Sequence, residues 1–273
     1  MSRIILIALA ALVSSPLAAE ELTVRGDRLF VPVEVQGERA EALLDSGAEL
    51  TLLDRRFADR FGVQEGKKVE ARGTGAGTTS AELVENIGIS ALGRNLTLPV
   101  VAVIDLSDVG ARLIGQPLPV VLGREIFDAG KLAIDIDAGT IAFVAEQELP
   151  QGVRLPLMAA HGIETVPVLF GDMEVSADFD LGNGSGLLLS PELARQLELE
   201  PVGIEPAGGI GGAAARPVVY VQELTVAGRP FRNIRAHVVE NLQVPANIGV
   251  GILRRFRILT DFPNREIFLD PNS

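Results

Sequence analysis

Two matching stretches of the chain read Ala42-Leu43-Leu44-Asp45-Ser46-Gly47-Ala48 and Ala177-Asp178-Phe179-Asp180-Leu181-Gly182-Asn183. In each stretch an apolar segment leads into an Asp-x-Gly turn, and a second apolar run follows. The two aspartates Asp45 and Asp180 stand 135 positions apart. A repeat of this kind indicates that one structural unit is present twice.

The repeat continues beyond the two turns. A short helix is predicted after each turn, because Asp54 and Ser190 are good N-caps and Pro191 suits a first helical position. Further along, Gly123 and Gly249 close matching apolar segments. Between the helix and that later glycine each copy has a glycine-rich stretch, made of Gly73, Gly75 and Gly77 in the first copy and Gly208, Gly209, Gly211 and Gly212 in the second.

These patterns predict a mainly β protein of two tandem lobes. Short strands separated by turn residues, with one short helix per lobe, are typical of a barrel-like unit. We place the lobes at 22–147 and 153–270, joined through Pro150-Gln151-Gly152. Aromatic residues are few, so Val, Ile and Leu must fill the core, which suits strands.

Composition excludes several classes of function. A net charge of −12 argues against nucleic-acid binding, since little could neutralise a run of phosphates. The chain has no cysteine, which removes thiol catalysis and thiolate metal sites. It also lacks a Walker-type loop, a dinucleotide fingerprint and a histidine spacing typical of metal sites, so we expect no cofactor and no metal. We interpret His161 and His237 as structural or surface residues.

The N-terminus is typical of an exported protein. Arg3 precedes a short apolar run at 4–13, and small residues lead to Ala19. This order predicts a signal peptide at 1–19 and a periplasmic or secreted protein. An uncleaved N-terminal tether is the alternative. The run is too short to span a bilayer, so we expect no stable membrane insertion.

The order of motifs resembles a known family. An apolar segment with Asp45-Ser46-Gly47-Ala48, then a glycine-rich flap, then two apolar residues and a glycine, is similar to the retropepsin and pepsin family of aspartic peptidases. More narrowly, the chain resembles the retropepsin-like aspartyl peptidases of bacterial envelopes. The resemblance covers nearly all of the exported chain and implies two lobes related by a pseudo-twofold axis, mobile flaps, and an extended peptide or protein as substrate.

The chemistry of two paired aspartates supports this interpretation. Two carboxyl groups that share one proton can act together, one as a base towards water and the other as an acid towards a carbonyl oxygen. The repeat register selects Asp180 over Asp178, which matches Leu43. Gly47 and Gly182 would turn the backbone and donate N–H groups near the carboxylates. One chain supplies both aspartates, so we expect a monomeric aspartic endopeptidase.

The second lobe departs from the family pattern in two places. Leu181 stands where a hydroxyl residue would help to lock the two turns, and Asn247 stands where an apolar residue is expected. We therefore expect Ser46 to bond to backbone or to Asn183. These departures leave two alternatives open. One is a catalytically silent protein that binds extended peptides in the cleft between the lobes. The other is an unrelated envelope β-protein with both aspartates in turns.

Overall fold

The computed structural model describes residues 19–63, 66–147 and 149–272. All but the last residue of the predicted signal peptide lie outside these ranges. The described chain is mainly β, as predicted. The strands of the first half are β1 (Glu20–Glu21), β2 (Thr23–Arg25), β3 (Arg28–Val35), β4 (Glu38–Leu44), β5 (Leu52–Asp54), β6 (Lys67–Arg72), β7 (Thr78–Ala91), β8 (Arg94–Ile104), β9 (Val120–Leu122), β10 (Leu132–Asp135) and β11 (Thr140–Phe143).

The second half repeats this arrangement. Its strands are β12 (Val153–Pro156), β13 (Met158–Ala160), β14 (Ile163–Phe170), β15 (Met173–Phe179), β16 (Leu187–Leu189), β17 (Gly203–Gly209), β18 (Gly212–Val226), β19 (Arg229–Val238), β20 (Ala246–Ile248), β21 (Phe256–Asp261) and β22 (Glu266–Pro271).

Each lobe is built on an eight-stranded sheet of the same topology. The strand order is β2-β3-β4-β9-β5-β8-β7-β6 in the first sheet and β13-β14-β15-β20-β16-β19-β18-β17 in the second. An extra pairing of β3 with β7, and of β14 with β18, curls each sheet into a barrel-like unit. Strand for strand the two orders correspond, so the duplicated sequence folds as a duplicated structure.

Short helices connect the strands. The predicted helices are α1 (Arg55–Ala58), capped by the Asp54 side chain, and α4 (Pro191–Gln196), capped by the Ser190 hydroxyl. Each lobe has more than the one helix that we expected. The additional helices have little signal in the sequence, since none begins with a side-chain cap. These are α2 (Ser107–Val109), which runs into a π-helical turn at Gly110–Ile114, α3 (Arg124–Asp128) and α5 (Val250–Leu253).

A third sheet joins the lobes. Its order is β1-β11-β10-β21-β22-β12, and β10 of the first lobe pairs with β21 of the second. Beside this junction Phe127 stacks on Phe262 with ring centroids 5.0 Å apart. The buried carboxylate of Glu164 is bridged by Arg124 at 2.8 Å and Arg265 at 2.7 Å. Apolar and ionic contacts thus fix the lobes against each other. No helix in the described ranges is long and apolar enough to cross a membrane.

Candidate active site

Equivalent strands carry the two predicted aspartates. Asp45 directly follows β4 and Asp180 directly follows β15, each beside a parallel neighbouring strand. The Asp45 N–H donates to the carbonyl of Leu122 at 2.9 Å, and the Asp180 N–H donates to that of Ile248 at 3.0 Å. Matching backbone hydrogen bonds therefore hold both side chains at the same place in their lobes.

The two aspartates meet across the lobe boundary through reciprocal contacts. A Cβ on Gly47 would lie 2.8 Å from Cγ of Asp180, and a Cβ on Gly182 would overlap the Asp45 carboxyl group. The two carboxyl groups are also close enough for each to affect the pKa of the other. Glycine is required here because the facing carboxylate comes so close. The structure thus brings Asp180 to Asp45 and leaves Asp178 outside the pair.

Ser46 locks the two turns together. Its buried hydroxyl donates to the Phe179 carbonyl at 2.7 Å and accepts the Leu181 N–H at 2.9 Å. The partners are backbone groups of the opposite lobe, one of the two options that we expected, and Asn183 is not among them. Leu181 cannot return the contact, and its side chain is fully buried in the main apolar core. One hydroxyl therefore makes the connection from one side only.

Hydrogen-bond donors are distributed unequally over the pair. The Gly47 N–H donates to Asp45 at 2.9 Å. Asp180 accepts from the N–H groups of Gly182 at 2.9 Å and Asn183 at 3.0 Å, and from Nδ2 of Asn247 at 2.8 Å. More donors stabilise negative charge on Asp180, so this geometry favours the shared proton on Asp45.

Burial sets the protonation of the pair. Desolvation raises the pKa of Asp45 well above its usual range, and the charge of Asp180 raises it further. Desolvation also raises the pKa of Asp180, while the Asn247 amide and two N–H groups oppose that rise. Each residue keeps a partly exposed edge, so water can reach the carboxyl groups. The pair is therefore suited to hold one proton in common over a range of pH.

Asn247 belongs to a polar network of the second lobe, at the position that Val121 takes in the first. Its Oδ1 accepts from Nδ2 of Asn183 at 2.7 Å, so Asn183 supports the pair directly and through Asn247. Asp178 lies beside Asn247 and contacts Nε2 of His161 at 3.2 Å. Burial is the main cause that raises the pKa of Asp178 to about 6. Neither Asn247 nor His161 was predicted to have a role at the site, although the break in the apolar pattern at 247 was a signal.

The glycine-rich stretches lie at the turns of two long hairpins, β6–β7 and β17–β18, whose tips meet. The N–H of Gly75 donates to the Ile210 carbonyl, and the N–H of Gly77 donates to that of Gly211, both at 2.9 Å. Gly73 lies against Ile210, and Gly209 lies against Thr74. Gly208, Gly211 and Gly212 adopt positive φ, so the second tip depends on glycine for its backbone shape.

Each flap is also held by the opposite lobe. Nδ2 of Asn241 donates to the carbonyls of Gly73 and Gly75 at 3.2 and 3.3 Å. On the other side, Nη2 of Arg112 donates to the Gly209 carbonyl at 3.1 Å. Loops from both lobes therefore hold the two joined tips in a closed position.

A family comparison agrees with this geometry. Residues 31–126 match the model of the family described as aspartyl protease, a range that holds Asp45, the first flap and Gly123. This match supports a retropepsin-like aspartyl protease family for that part of the chain. A search of curated proteins found none that matches this chain.

Arg28 is a further residue near the pair that sequence reasoning missed. It begins β3 of the first lobe, and its guanidinium donates to the carbonyls of Gly26 at 3.0 Å and Leu113 at 3.3 Å. Burial lowers its pKa, while the charge of Asp27, followed by those of Asp180 and Asp45, opposes that shift. In the described part of the chain, no group of three or more His, Asp and Glu side chains could hold a metal ion.

Proposed function

We propose that this protein is an aspartic endopeptidase that hydrolyses peptide bonds with water activated between Asp45 and Asp180. The observation that carries the proposal is the reciprocal approach of Gly47 to Asp180 and of Gly182 to Asp45. The match of residues 31–126 to the aspartyl protease family supports a protease function in general. The joined flaps support a cleft that closes over an extended peptide bound through its main chain.

The donor distribution assigns a role to each aspartate. Ionised Asp180 takes a proton from water, which attacks the peptide carbonyl, while protonated Asp45 gives its proton to the carbonyl oxygen. The product of this step is a tetrahedral diol. As the carbon–nitrogen bond breaks, Asp180 returns its proton to the leaving nitrogen and Asp45 takes one from a diol hydroxyl. The pair then holds one proton again and is ready for the next turnover.

The proposal also covers the cellular location of the protein and its oligomeric state. The basic, apolar and small-residue segments at 1–19 support export to the periplasm or beyond. Both carboxylates come from one chain, which supports a monomer. A peptide or protein is the proposed substrate, and no cofactor takes part in the proposed steps.

Hydrolysis of a peptide library tests the proposal. At acidic pH we expect the wild type to cut extended peptides, and Asp45→Asn to be slower by about a thousandfold or more, because a pair with no proton to share cannot act as acid and base. Asp172→Asn is the matched control, since this exposed aspartate lies in the β14–β15 turn, away from the pair. Mass spectrometry measures the products, and circular dichroism checks the fold of each variant.

Two results would contradict the proposal. Cleavage by Asp45→Asn at the wild-type rate would show that the pair does not catalyse. Tight binding of extended peptides by the wild type, without any cleavage, would instead establish the peptide-binding alternative.

A further inference from the structure

The sheets of the two lobes differ along one row of cross-strand neighbours. Residues in register on adjacent strands place their side chains on the same face of a sheet. In the first lobe this row crosses six strands and consists of Phe30, Leu43, Val121, Leu52, Ala102 and Leu83. In the second lobe the row in the same register consists of Thr165, Asp178, Asn247, Leu188, His237 and Val218.

The first row is apolar throughout and belongs to a separate apolar cluster of its lobe. The second row places four polar side chains where the first has apolar ones. These four residues are buried, with exposed fractions of 1% for Thr165, 3% for Asp178, 3% for Asn247 and 7% for His237. Asn247 also bonds to Asp180, so the row reaches the catalytic pair. Equivalent rows next to the two aspartates are therefore apolar in the first lobe and partly polar in the second.

Arg216 adds a buried positive charge to the polar face. It lies two residues before Val218 on β18, and so on the same side of the hairpin, at the position that Ala81 takes in the first lobe. The residue is 5% exposed, and its guanidinium donates to the Thr74 carbonyl in the tip of the opposite flap. This contact places the charge beside the tip of the first-lobe flap.

Arg216 has no carboxylate partner within 4.0 Å in the described ranges of the chain. The nearest candidate by strand register is Glu205, but its carboxylate is engaged by Arg235 and lies 3.5 Å from His237. Arg112 is close enough to Arg216 to repel it. A buried guanidinium without a counter-ion is unfavourable, and a ligand carboxylate would relieve that cost.

We infer that Arg216, on the second-lobe face that also holds His237, Asp178 and Asn247, binds an acidic side chain of the peptide, while the first-lobe face binds an apolar one. The inference rests on the proposed function, because it takes the cleft to be the peptide site. A carboxylate of Asp or Glu would pair with the Arg216 guanidinium under the closed flaps. The protein would then select peptides with an acidic residue on one side of the scissile bond and an apolar residue on the other.

Peptide libraries with one fixed position test the inference. Four libraries carry Glu, Gln, Leu or Lys at that position. Each library is made in two forms, with the fixed position before or after an apolar residue. Hydrolysis is measured with the wild type, and binding is measured separately with Asp45→Asn. We expect Glu to be preferred over Gln by about tenfold or more on one side only. Arg216→Ala, which introduces the residue found at 81, should abolish this preference.

Control variants separate charge from folding. Arg39→Gln removes a guanidinium whose side chain is 91% exposed, and it should keep the wild-type preference. Arg216→Lys keeps the charge and should retain part of the preference for Glu. If Arg216→Ala fails to fold, the preference of the wild type for Glu over Gln, Leu and Lys still tests the inference. An apolar or basic preference on both sides of the bond would overturn the inference.

The two proposals fail in different ways. Cleavage without a preference for Glu would contradict the proposed acidic subsite but would support the proposed peptidase function. Binding of Glu peptides that depends on Arg216, without cleavage by the wild type, would uphold the subsite and overturn the peptidase. Absence of both binding and cleavage would overturn the subsite as well.

Discussion

At the scale of single residues, the second lobe gives Asp180 an environment that Asp45 lacks. The position that holds Val121 in the first lobe holds Asn247 in the second, and its amide donates to the Asp180 carboxylate at 2.8 Å. An apolar residue at 247 would leave Asp180 with backbone donors alone. The departure from the family pattern at this position therefore stabilises the ionised form of Asp180 and makes the two aspartates unequal.

Asn247→Val should shift the pH dependence of hydrolysis to higher pH. The active pair holds one proton, and the Asn247 amide favours loss of the other. Without this donor the first proton leaves at higher pH, so the acidic limb of kcat/KM should move up by about one pH unit. The control is Asn95→Val at an exposed strand position, which should leave the profile unchanged. An unshifted acidic limb in Asn247→Val would show that the amide does not set the charge of Asp180.

At the scale of elements, two turns and two hairpins form the site. The sequence repeat predicted these elements and their order, because Asp-x-Gly turns and glycine-rich tips have strong local signals. It did not predict α3 or α5, which begin without side-chain caps. The polar row could not be predicted from the sequence either. Asp178, Asn247 and His237 are far apart in sequence and become neighbours only through strand register.

The lock between the two turns can be tested through stability. Ser46→Ala removes the hydroxyl and leaves the Phe179 carbonyl and the Leu181 N–H buried without that partner, which should lower the free energy of unfolding by about 2 kcal/mol. Urea denaturation measures this change. Ser46→Thr keeps a hydroxyl and should cost less. Ser80→Ala, at an exposed strand position, should change stability little. Equal stability of Ser46→Ala and Ser80→Ala would mean that the hydroxyl does not lock the turns.

At the scale of the whole molecule, the third sheet fixes the lobes so that one chain presents both carboxylates. Pairing of β10 with β21 and the stacking of Phe127 on Phe262 set the relative position of the lobes. The position of Asp180 opposite Asp45 could be expected from the repeat, since equal lobes joined face to face bring equal turns together. The exchange of Leu43 and Val121 for Asp178 and Asn247 could be read in the sequence, but their connection to Asp180 required the fold.

The most direct test of the account is the activity of Asp180→Asn over a wide range of protein concentration, alone and mixed with Asp45→Asn. If one chain supplies the whole pair, the wild-type rate should be proportional to concentration, and both variants should stay inactive, alone or mixed, because each chain lacks one of its own carboxylates. If Asp45 pairs with Asp45 of a second chain instead, Asp180→Asn should cleave peptides at a rate that rises with the square of its concentration. That result would contradict the single-chain pair.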